Sequence, residues 1–200
     1  MNDILVILSY ITFKAYEILM KLQEIIQSLP AQYTPENERK LVEEVNALKL
    51  DGLTGDLADL LAFSISDHYN ELAKTILEKD YNGLKLDPQN INQSLINQSE
   101  QQYSLLHFTA QFGNKEMLLY FLINGVKVSM DHDDLSPLHS ITFAKNLNKA
   151  DFKEIIAKFE ALSPGVINHK DVYNLSPLHY AAHNDNVPAL EALIELGAKR

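Results

Sequence analysis

The sequence of 200 residues contains no cysteine and no tryptophan, and only 2 of its 17 basic residues are arginines. The absence of cysteine excludes disulfide bonds, thiolate metal ligands and thiol nucleophiles together. The 7 glycines are scattered along the chain, so none of the glycine-rich patterns that cradle phosphates or dinucleotides is present. The apolar run at residues 4–8 is interrupted by Ser9, Thr12 and Lys14, and it is too short to cross a bilayer.

The formal net charge is −10, and the excess of acidic side chains lies in the first half of the chain. Residues 1–101 carry 16 acidic and 8 basic side chains, whereas residues 102–200 carry 11 and 9. Such a chain repels a phosphate backbone, which argues against nucleic acid as a partner. Hydrophobic residues make up 46% of the sequence, which is ample material for a folded core.

A short motif recurs along the second half of the chain. Leu-Ser-Pro-Leu-His occupies residues 135–139 and 175–179, and a degraded copy, Ser-Leu-Leu-His, occupies residues 104–107. Each copy is followed by a short turn and a second apolar, helix-like run. Self-similarity of this kind is typical of stacked helical repeats. On these motifs the chain resembles the ankyrin-repeat family, and the resemblance implies an all-α solenoid of about four repeats.

We divide the sequence into an N-terminal helical cap at residues 1–56 and an ankyrin-repeat array at residues 57–200. In the cap, apolar residues at alternating steps of four and three predict a long helix that Pro30 closes. Thr34 and Pro35 then begin a second helix that runs to about Leu50. We favour a long helix that covers the open end of the array over a coiled-coil homodimer, and attachment to a membrane surface is less favoured still.

The first and third repeats depart from the family pattern. From Leu60 the sequence aligns with the repeat around His107, and Ala62 stands where the histidine is expected. Residues 80–102 form an insertion, interpreted as a solvated loop with at most a short helix, or alternatively as a binding loop. In the third repeat, residues 143–149 are expected to lengthen the first helix or the turn after it. The last helix is nearly as apolar as an internal one, so we expect further sequence beyond Arg200.

The recurring residues have structural roles in such repeats. Ser136-Pro137 and Ser176-Pro177 supply a helix cap followed by proline in the first turn. The resemblance implies that His139 and His179 bond to backbone and tie adjacent repeats together. It also places Asp134 and Asn174 where the family favours glycine, and both residue types tolerate positive φ. A Leu178→Ala change is expected to cost about 2–5 kcal/mol through cavity formation.

The resemblance implies a protein-binding scaffold whose partner, another protein, sits on the concave surface. That surface consists of the turn tips and the exposed position after the histidine. Carried onto this sequence, the predicted contact residues are Phe108, Met130, His132, Asp133, Leu135, Ser140, Lys170, Val172, Tyr173, Leu175 and Tyr180. Tyr173, Tyr180 and Phe108 are the expected anchors, because aromatic side chains dominate interface hot spots. Phe108 alternatively packs between repeats.

We predict no enzymatic activity, no cofactor and no metal within these 200 residues. His179 and His183 have a spacing that can ligate zinc, and residues 131–134 form an acidic cluster, but neither has further ligands in a metal-binding pattern. The lysine- and asparagine-rich composition resembles ankyrin effectors that intracellular bacteria deliver into host cells, which implies a cytoplasmic location, in the host cytosol if the chain is such an effector. The alternative is the targeting arm of a larger effector enzyme whose catalytic domain lies beyond residue 200.

Overall fold

The computed structural model describes residues 34–47, 61–62, 64–78, 80–81, 84–85 and 104–199. The chain divides into two compact units, Met1–Asp87 and Pro88–Arg200. The first unit contains residues 57–79, which the sequence assigns to the first repeat, and residues 80–87 of the predicted insertion. The predicted boundary between 56 and 57 stays a prediction. The predicted long helix before Pro30 and most of the 80–102 insertion lie outside the described residues.

In the first unit, helix α1 (Pro35–Ala47) begins where the sequence predicts. The Thr34 side-chain oxygen accepts a hydrogen bond from the Asn37 N–H at 3.2 Å, and Pro35 follows at a position that needs no donor. Leu41 and Val45 are buried where α1 packs against helix α2 (Asn70–Glu78).

A buried carboxylate joins these two helices. Glu38 of α1 is 5% exposed, and its Oε1 accepts hydrogen bonds from the N–H groups of Glu71 at 2.7 Å and Leu72 at 3.3 Å. These donors belong to the first turn of α2, where they have no partner within the helix. The negative charge also lies at the positive end of the helix dipole. The sequence analysis assigned no role to Glu38.

The segment before α2 has the helix–turn–helix form predicted for the degenerate first repeat. Residues 61–62 and 64–66 are helical, and the chain turns through His68 at φ +64° before α2 begins. Apolar side chains of both helical segments are buried, among them Leu61, Ile65, Leu72 and Ile76.

A short antiparallel pair of strands lies at the start of the predicted insertion. Strand β1 (Asp80–Tyr81) pairs with strand β2 (Leu84–Lys85), with Asp80 opposite Lys85. The predicted loop therefore contains two short strands that the sequence analysis did not include. The signal was present in the sequence, because Asn82-Gly83 is a dipeptide favoured in two-residue hairpin turns.

In the second unit, residues 104–199 form three helix pairs, which confirms the all-α repeat architecture. The first helices of the pairs contact one another in order, and so do the second helices. The pairs are α3 (Leu105–Gln111) with α4 (Lys115–Ile123), α5 (Pro137–Ser140) with α6 (Lys149–Leu162), and α7 (Pro177–His183) with α8 (Val187–Glu195). Two 3-10 helices, Ile141–Phe143 and Val166–Asn168, follow α5 and α6.

The core of this unit is formed by the apolar faces of both rows of helices. Leu106 and Leu138, the equivalent leucines of the first two pairs, are completely buried, and so are the large rings of Phe121, Phe152 and Phe159. Apolar burial of this kind is the main favourable contribution to folding, at about 25 cal/mol per Å² of apolar surface. Each helix pair therefore depends on its neighbour for a dry interface.

The extra length of the third repeat lies mainly in its second helix. Helix α6 has 14 residues, whereas α4 and α8 have 9 each. The first helix is not lengthened. The turn at residues 144–148 is longer than the corresponding turns of the other two pairs. Asn186 fastens this turn, since its side-chain nitrogen donates to the carbonyl oxygens of Thr142 at 2.9 Å and Ala144 at 2.7 Å.

Replacing Gly113 with alanine is expected to lower the free energy of unfolding by about 2–3 kcal/mol. Gly113 lies at φ +63° between α3 and α4, and an added Cβ would lie 2.7 Å from the Cβ of the buried Ala144 and against the side chain of Asn146. The control is Gly125→Ala, because Gly125 has φ +80° and open space around its Cβ position. The Gly125→Ala change is expected to lower the free energy of unfolding only by the backbone strain, about 1–2 kcal/mol. Urea unfolding of both variants measures the difference, and equal losses would contradict the packing at Gly113.

Candidate functional site

Two tip loops, at residues 130–135 and 170–175, connect successive helix pairs and share one backbone design. In the first, Oδ1 of Asp131 accepts hydrogen bonds from the N–H groups of Asp133 and Leu135, both at 2.9 Å. In the second, Oδ1 of Asp171 accepts from Tyr173 at 2.9 Å and Leu175 at 2.8 Å. Each aspartate thus holds its own loop closed.

The residue before the leucine of each tip loop has a left-handed backbone. Asp134 lies at φ +59° and Asn174 at φ +63°. These two positions are the ones that the resemblance to ankyrin repeats assigned to positive φ. Asp and Asn adopt this conformation more readily than most residues other than glycine.

The two tip loops are bonded to each other. The Val172 N–H donates to the Asp133 carbonyl oxygen at 3.1 Å, and Nε2 of His169 lies 2.9 Å from the Asp134 carbonyl oxygen. Because these bonds engage the backbone, they fix the spacing of neighbouring tips independently of which side chains the tips present.

Histidines tie the first two helix pairs to the tip loops that follow them. Nδ1 of His107 accepts from the Ser104 N–H at 3.2 Å, and Nε2 lies 2.8 Å from the Leu135 carbonyl oxygen. His139 repeats this pattern with the Ser136 N–H at 3.0 Å and the Leu175 carbonyl oxygen at 3.2 Å. Since Nδ1 accepts from a backbone N–H, the ring proton is on Nε2, and the neutral ring donates to the next repeat.

Burial disfavours the charged form of both rings. It lowers the pKa of His107, although the Leu135 carbonyl and Asp131 act in the opposite direction. It lowers the pKa of His139 to about 4, against the opposing effects of the Leu175 carbonyl and Asp171. Desolvation of an imidazolium ion is the dominant cause in each case.

The third histidine of the series, His179, makes the first of these two contacts. Nδ1 of His179 accepts from the Ser176 N–H at 3.2 Å, as in the other two repeats. However, the His179 side chain is exposed, and among the described residues its ring makes no bond to a following tip loop. The predicted bonding to backbone is therefore confirmed for both His139 and His179, and the tie between repeats is confirmed for His139. For His179 the tie to a following repeat stays a prediction.

Tyr180, a predicted contact residue, also has a structural role. Its hydroxyl donates to Oδ2 of Asp171 at 2.7 Å. Burial, followed by this hydrogen bond and the charge of Asp171, raises the pKa of Tyr180. Burial alone would raise the pKa of Asp171, but donors that include the Leu175 N–H and the Tyr180 hydroxyl lower it. Truncating Tyr180 would therefore disturb the second tip loop as well as its surface.

The structure brings most of the predicted contact residues to one surface, formed by the two tip loops and the adjoining first helices. On the second tip loop, Val172 is 59% exposed and Tyr173 is 71% exposed. His132, Lys170 and Leu175 are also exposed. Five predicted residues are half-buried there, namely Phe108, Met130, Asp133, Leu135 and Tyr180.

Ser140 is the exception and requires a correction. It is the equivalent of Phe108 and Tyr180, but it is only 4% exposed and lies where α5 changes into a 3-10 helix. Its small side chain therefore offers no surface to a partner. We define the tip surface as Met130, His132, Asp133, Leu135, Lys170, Val172, Tyr173 and Leu175.

Two exposed aromatic residues that adjoin Phe108 and Tyr180 were missed by the sequence analysis. The ring of Phe112 lies 4.7 Å from that of Phe108 at a tilt of 46°, and the ring of Phe143 lies 6.3 Å from that of Tyr180. Both rings are exposed although they are large and apolar. The available signal was their position at the ends of first helices, a short distance after the histidine motif.

The described residues show no grouping of three or more histidine or acidic side chains that would hold a metal ion. His183 is exposed on α7, while the acidic cluster at residues 131–134 uses Asp131 to organise its own turn. Among the described residues, no helix combines the length and the apolarity needed to cross a membrane.

Comparison with known proteins gives two similarities. A family model described as ankyrin repeats (3 copies) matches residues 106–199, which coincides with the three helix pairs. The chain is also similar to the crystal structure of an ankyrin repeat domain from Acinetobacter baumannii AYE, with 16% sequence identity and a TM-score of 0.47. That similarity covers 93% of this chain and 96% of the other. No curated protein matches the chain.

Proposed function

Since residues 106–199 are ankyrin repeats and the chain is therefore an ankyrin-repeat protein, we propose that it is a scaffold that binds a partner protein on the tip surface. Ankyrin repeats generally mediate protein–protein interaction and are typically non-catalytic. In this chain the proposed contact residues are those of the tip surface.

The observation that carries the proposal is the exposure of Val172 and Tyr173 on a rigid loop. Their side chains are 59% and 71% exposed, while their backbone N–H groups are bonded to Asp133 and Asp171. A preorganised loop loses little conformational entropy on binding, so more of the interaction energy is retained as affinity. Exposed apolar residues at one place on a surface are typical of an interaction site.

The double change Val172→Ser/Tyr173→Ser is expected to reduce partner capture by at least roughly tenfold, because hot-spot residues each contribute about 1–2 kcal/mol or more. The measurement is a pull-down with the full chain from cells of its native source, quantified by mass spectrometry. The matched control is Ile123→Ser/Leu162→Ser, which removes two exposed apolar side chains at 72% and 52% exposure from the ends of α4 and α6. Capture that survives the first change and is lost with the second would contradict the proposal.

Neither of these double variants truncates Tyr180. Because the Tyr180 hydroxyl bonds to the buried Asp171, a Tyr180→Ala variant would mix loss of contact with loss of loop order. Tyr180→Phe removes only the hydroxyl and keeps the ring surface. Thermal unfolding of each variant checks that the array remains folded.

We also propose that the chain acts as an effector in the cytoplasm of a host cell. This part rests on the resemblance and on composition: 16 asparagines and 15 lysines against 2 arginines. A translocation reporter fused to the full chain tests it, since delivery into infected cells supports an effector and retention in the producing bacterium contradicts one.

A further inference from the structure

The two tip loops carry a local excess of negative charge. Residues 130–135 and 170–175 contain four carboxylates, Asp131, Asp133, Asp134 and Asp171, and one lysine, Lys170, so their formal charge is −3. These carboxylates lie beside the exposed side chains of the tip surface. A partner that docks there must therefore meet apolar contact and negative charge together.

Within residues 104–199, no lysine forms an ion pair with these four carboxylates. Nζ of Lys170 donates to the amide oxygen of Asn174 at 3.0 Å, and the neighbour of the Asp134 carboxylate is His169, at 3.4 Å. Oδ1 of Asp131 and Oδ1 of Asp171 each accept hydrogen bonds from two backbone N–H groups. Between residues 104 and 199, the lysine–carboxylate ion pairs lie along the second helices, where Lys115, Lys149 and Lys153 pair with Asp151, Glu154, Glu191 and Glu195.

The negative charge of the tip loops also acts on Tyr180, an aromatic residue that is bonded to the second loop. The Tyr180 hydroxyl bonds to Asp171, and the charges of Asp131 and Asp133 also act on it in the direction that raises its pKa. The Tyr180 ring lies 6.3 Å from the exposed ring of Phe143. Aromatic faces and carboxylates both attract a cation, so the two features favour the same kind of ligand.

Building on the proposed function, we infer that the partner presents a basic segment that also carries apolar side chains. Its lysine or arginine head groups meet the carboxylates of Asp133 and Asp134, and its apolar side chains and lysine stems cover Val172 and Tyr173. Basic side chains suit this arrangement because their aliphatic stems pack on apolar surface while the charged ends stay near water. Charge complementarity at the rim accelerates association and excludes acidic partners.

The test uses the full chain and three fluorescein-labelled dodecapeptides, in which lysine alternates with leucine, glutamate with leucine, or lysine with serine. Fluorescence polarisation measures the affinity of each. The lysine–leucine peptide is expected to bind with a Kd below about 100 μM. The glutamate–leucine and lysine–serine peptides are each expected to bind at least roughly tenfold more weakly, because each lacks one of the two required features.

Variants separate the inference from the proposed function. Asp133→Asn/Asp134→Asn is expected to weaken the lysine–leucine peptide at least roughly tenfold, and Val172→Ser/Tyr173→Ser to a similar degree. The matched control is Glu154→Gln/Glu191→Gln, which removes the same charge from exposed positions on the second helices α6 and α8 and is expected to change affinity by less than about twofold.

The remaining possible results contradict the inference alone or the proposed function as well. If only the Val172/Tyr173 variant weakens binding, or if the glutamate–leucine peptide binds as tightly as the lysine–leucine peptide, the inference fails and the proposed function stands. If the Val172/Tyr173 variant leaves all peptide binding unchanged, the proposed function fails as well. A Kd of the lysine–leucine peptide above about 100 μM contradicts the inference.

Discussion

Replacing Leu138 with alanine is expected to lower the free energy of unfolding by about 4 kcal/mol. Leu138 is completely buried on α5, and α5 contacts both α3 and α7. Removing three carbon atoms therefore leaves a cavity enclosed by neighbouring repeats, which can collapse only by moving both of them. Urea unfolding monitored by circular dichroism measures the loss.

The control is the equivalent change in the last repeat, Leu178→Ala. Leu178 is 8% exposed and borders an open hollow of about 390 Å³, whose other lining residues are His179, Ala182, Leu190 and Ile194. Since this hollow is open, truncation adds little enclosed cavity, and the expected loss is about 2 kcal/mol. A loss at Leu178 equal to or greater than that at Leu138 would contradict the stacking order of the repeats.

Acidification from pH 7.5 to pH 5 is expected to destabilise the array by about 2 kcal/mol through His139 alone. The unfolded ring has a pKa near 6.5, whereas burial lowers the folded pKa to about 4. The unfolded chain therefore binds the proton first, and stability falls as the pH decreases from about 6.5 to 4. His107, whose pKa is lowered for the same reason, acts in the same direction.

The measurement is urea unfolding of the full chain at pH 7.5 and pH 5, where most carboxylates remain ionised. A His139→Gln variant is expected to be less stable at pH 7.5, because the bond to the Leu175 carbonyl is altered. Its loss on acidification should nevertheless be smaller than that of the unaltered chain by about 2 kcal/mol. The control His183→Gln removes an exposed ring and should keep the full loss. An unchanged pH dependence in His139→Gln would contradict a buried neutral ring at this position.

The caps of the first helices were predictable from local chemistry, because serine and histidine three residues apart bond to each other's backbone at residues 104–107, 136–139 and 176–179. The bonds from His107 and His139 to the next tip loop span 28 and 36 residues, and the resemblance to ankyrin repeats was needed to expect such a tie. The same resemblance assigned Asp134 and Asn174 to a left-handed backbone, which the structure confirms.

Contacts between residues distant in sequence were not predictable in this way. Glu38 caps a helix that begins 32 residues later, and Asn186 fastens a turn more than 40 residues earlier. The periodicity around these residues assigns them to a helix or a cap, but it does not show which backbone groups they meet. The three-dimensional arrangement is needed for that.

Most residues of the tip surface were predicted from the sequence, and the errors concern residues on the first helices. Assignment by equivalent position placed Phe108, Ser140 and Tyr180 in one class. In the structure Ser140 is buried, and Tyr180 is bonded to a buried carboxylate. Phe112 and Phe143 were missed because exposure of an apolar ring depends on where a helix ends, and helix ends are the least certain part of a periodic pattern.

The most direct test of the tip surface is a titration of the ¹⁵N-labelled full chain with the lysine–leucine peptide, followed by amide chemical shifts. The account predicts that the largest shifts fall on residues 130–135 and 170–175, with smaller ones at Phe143 and Tyr180. Shifts concentrated on the second helices α4, α6 and α8, or around the hollow beside Leu178, would contradict it.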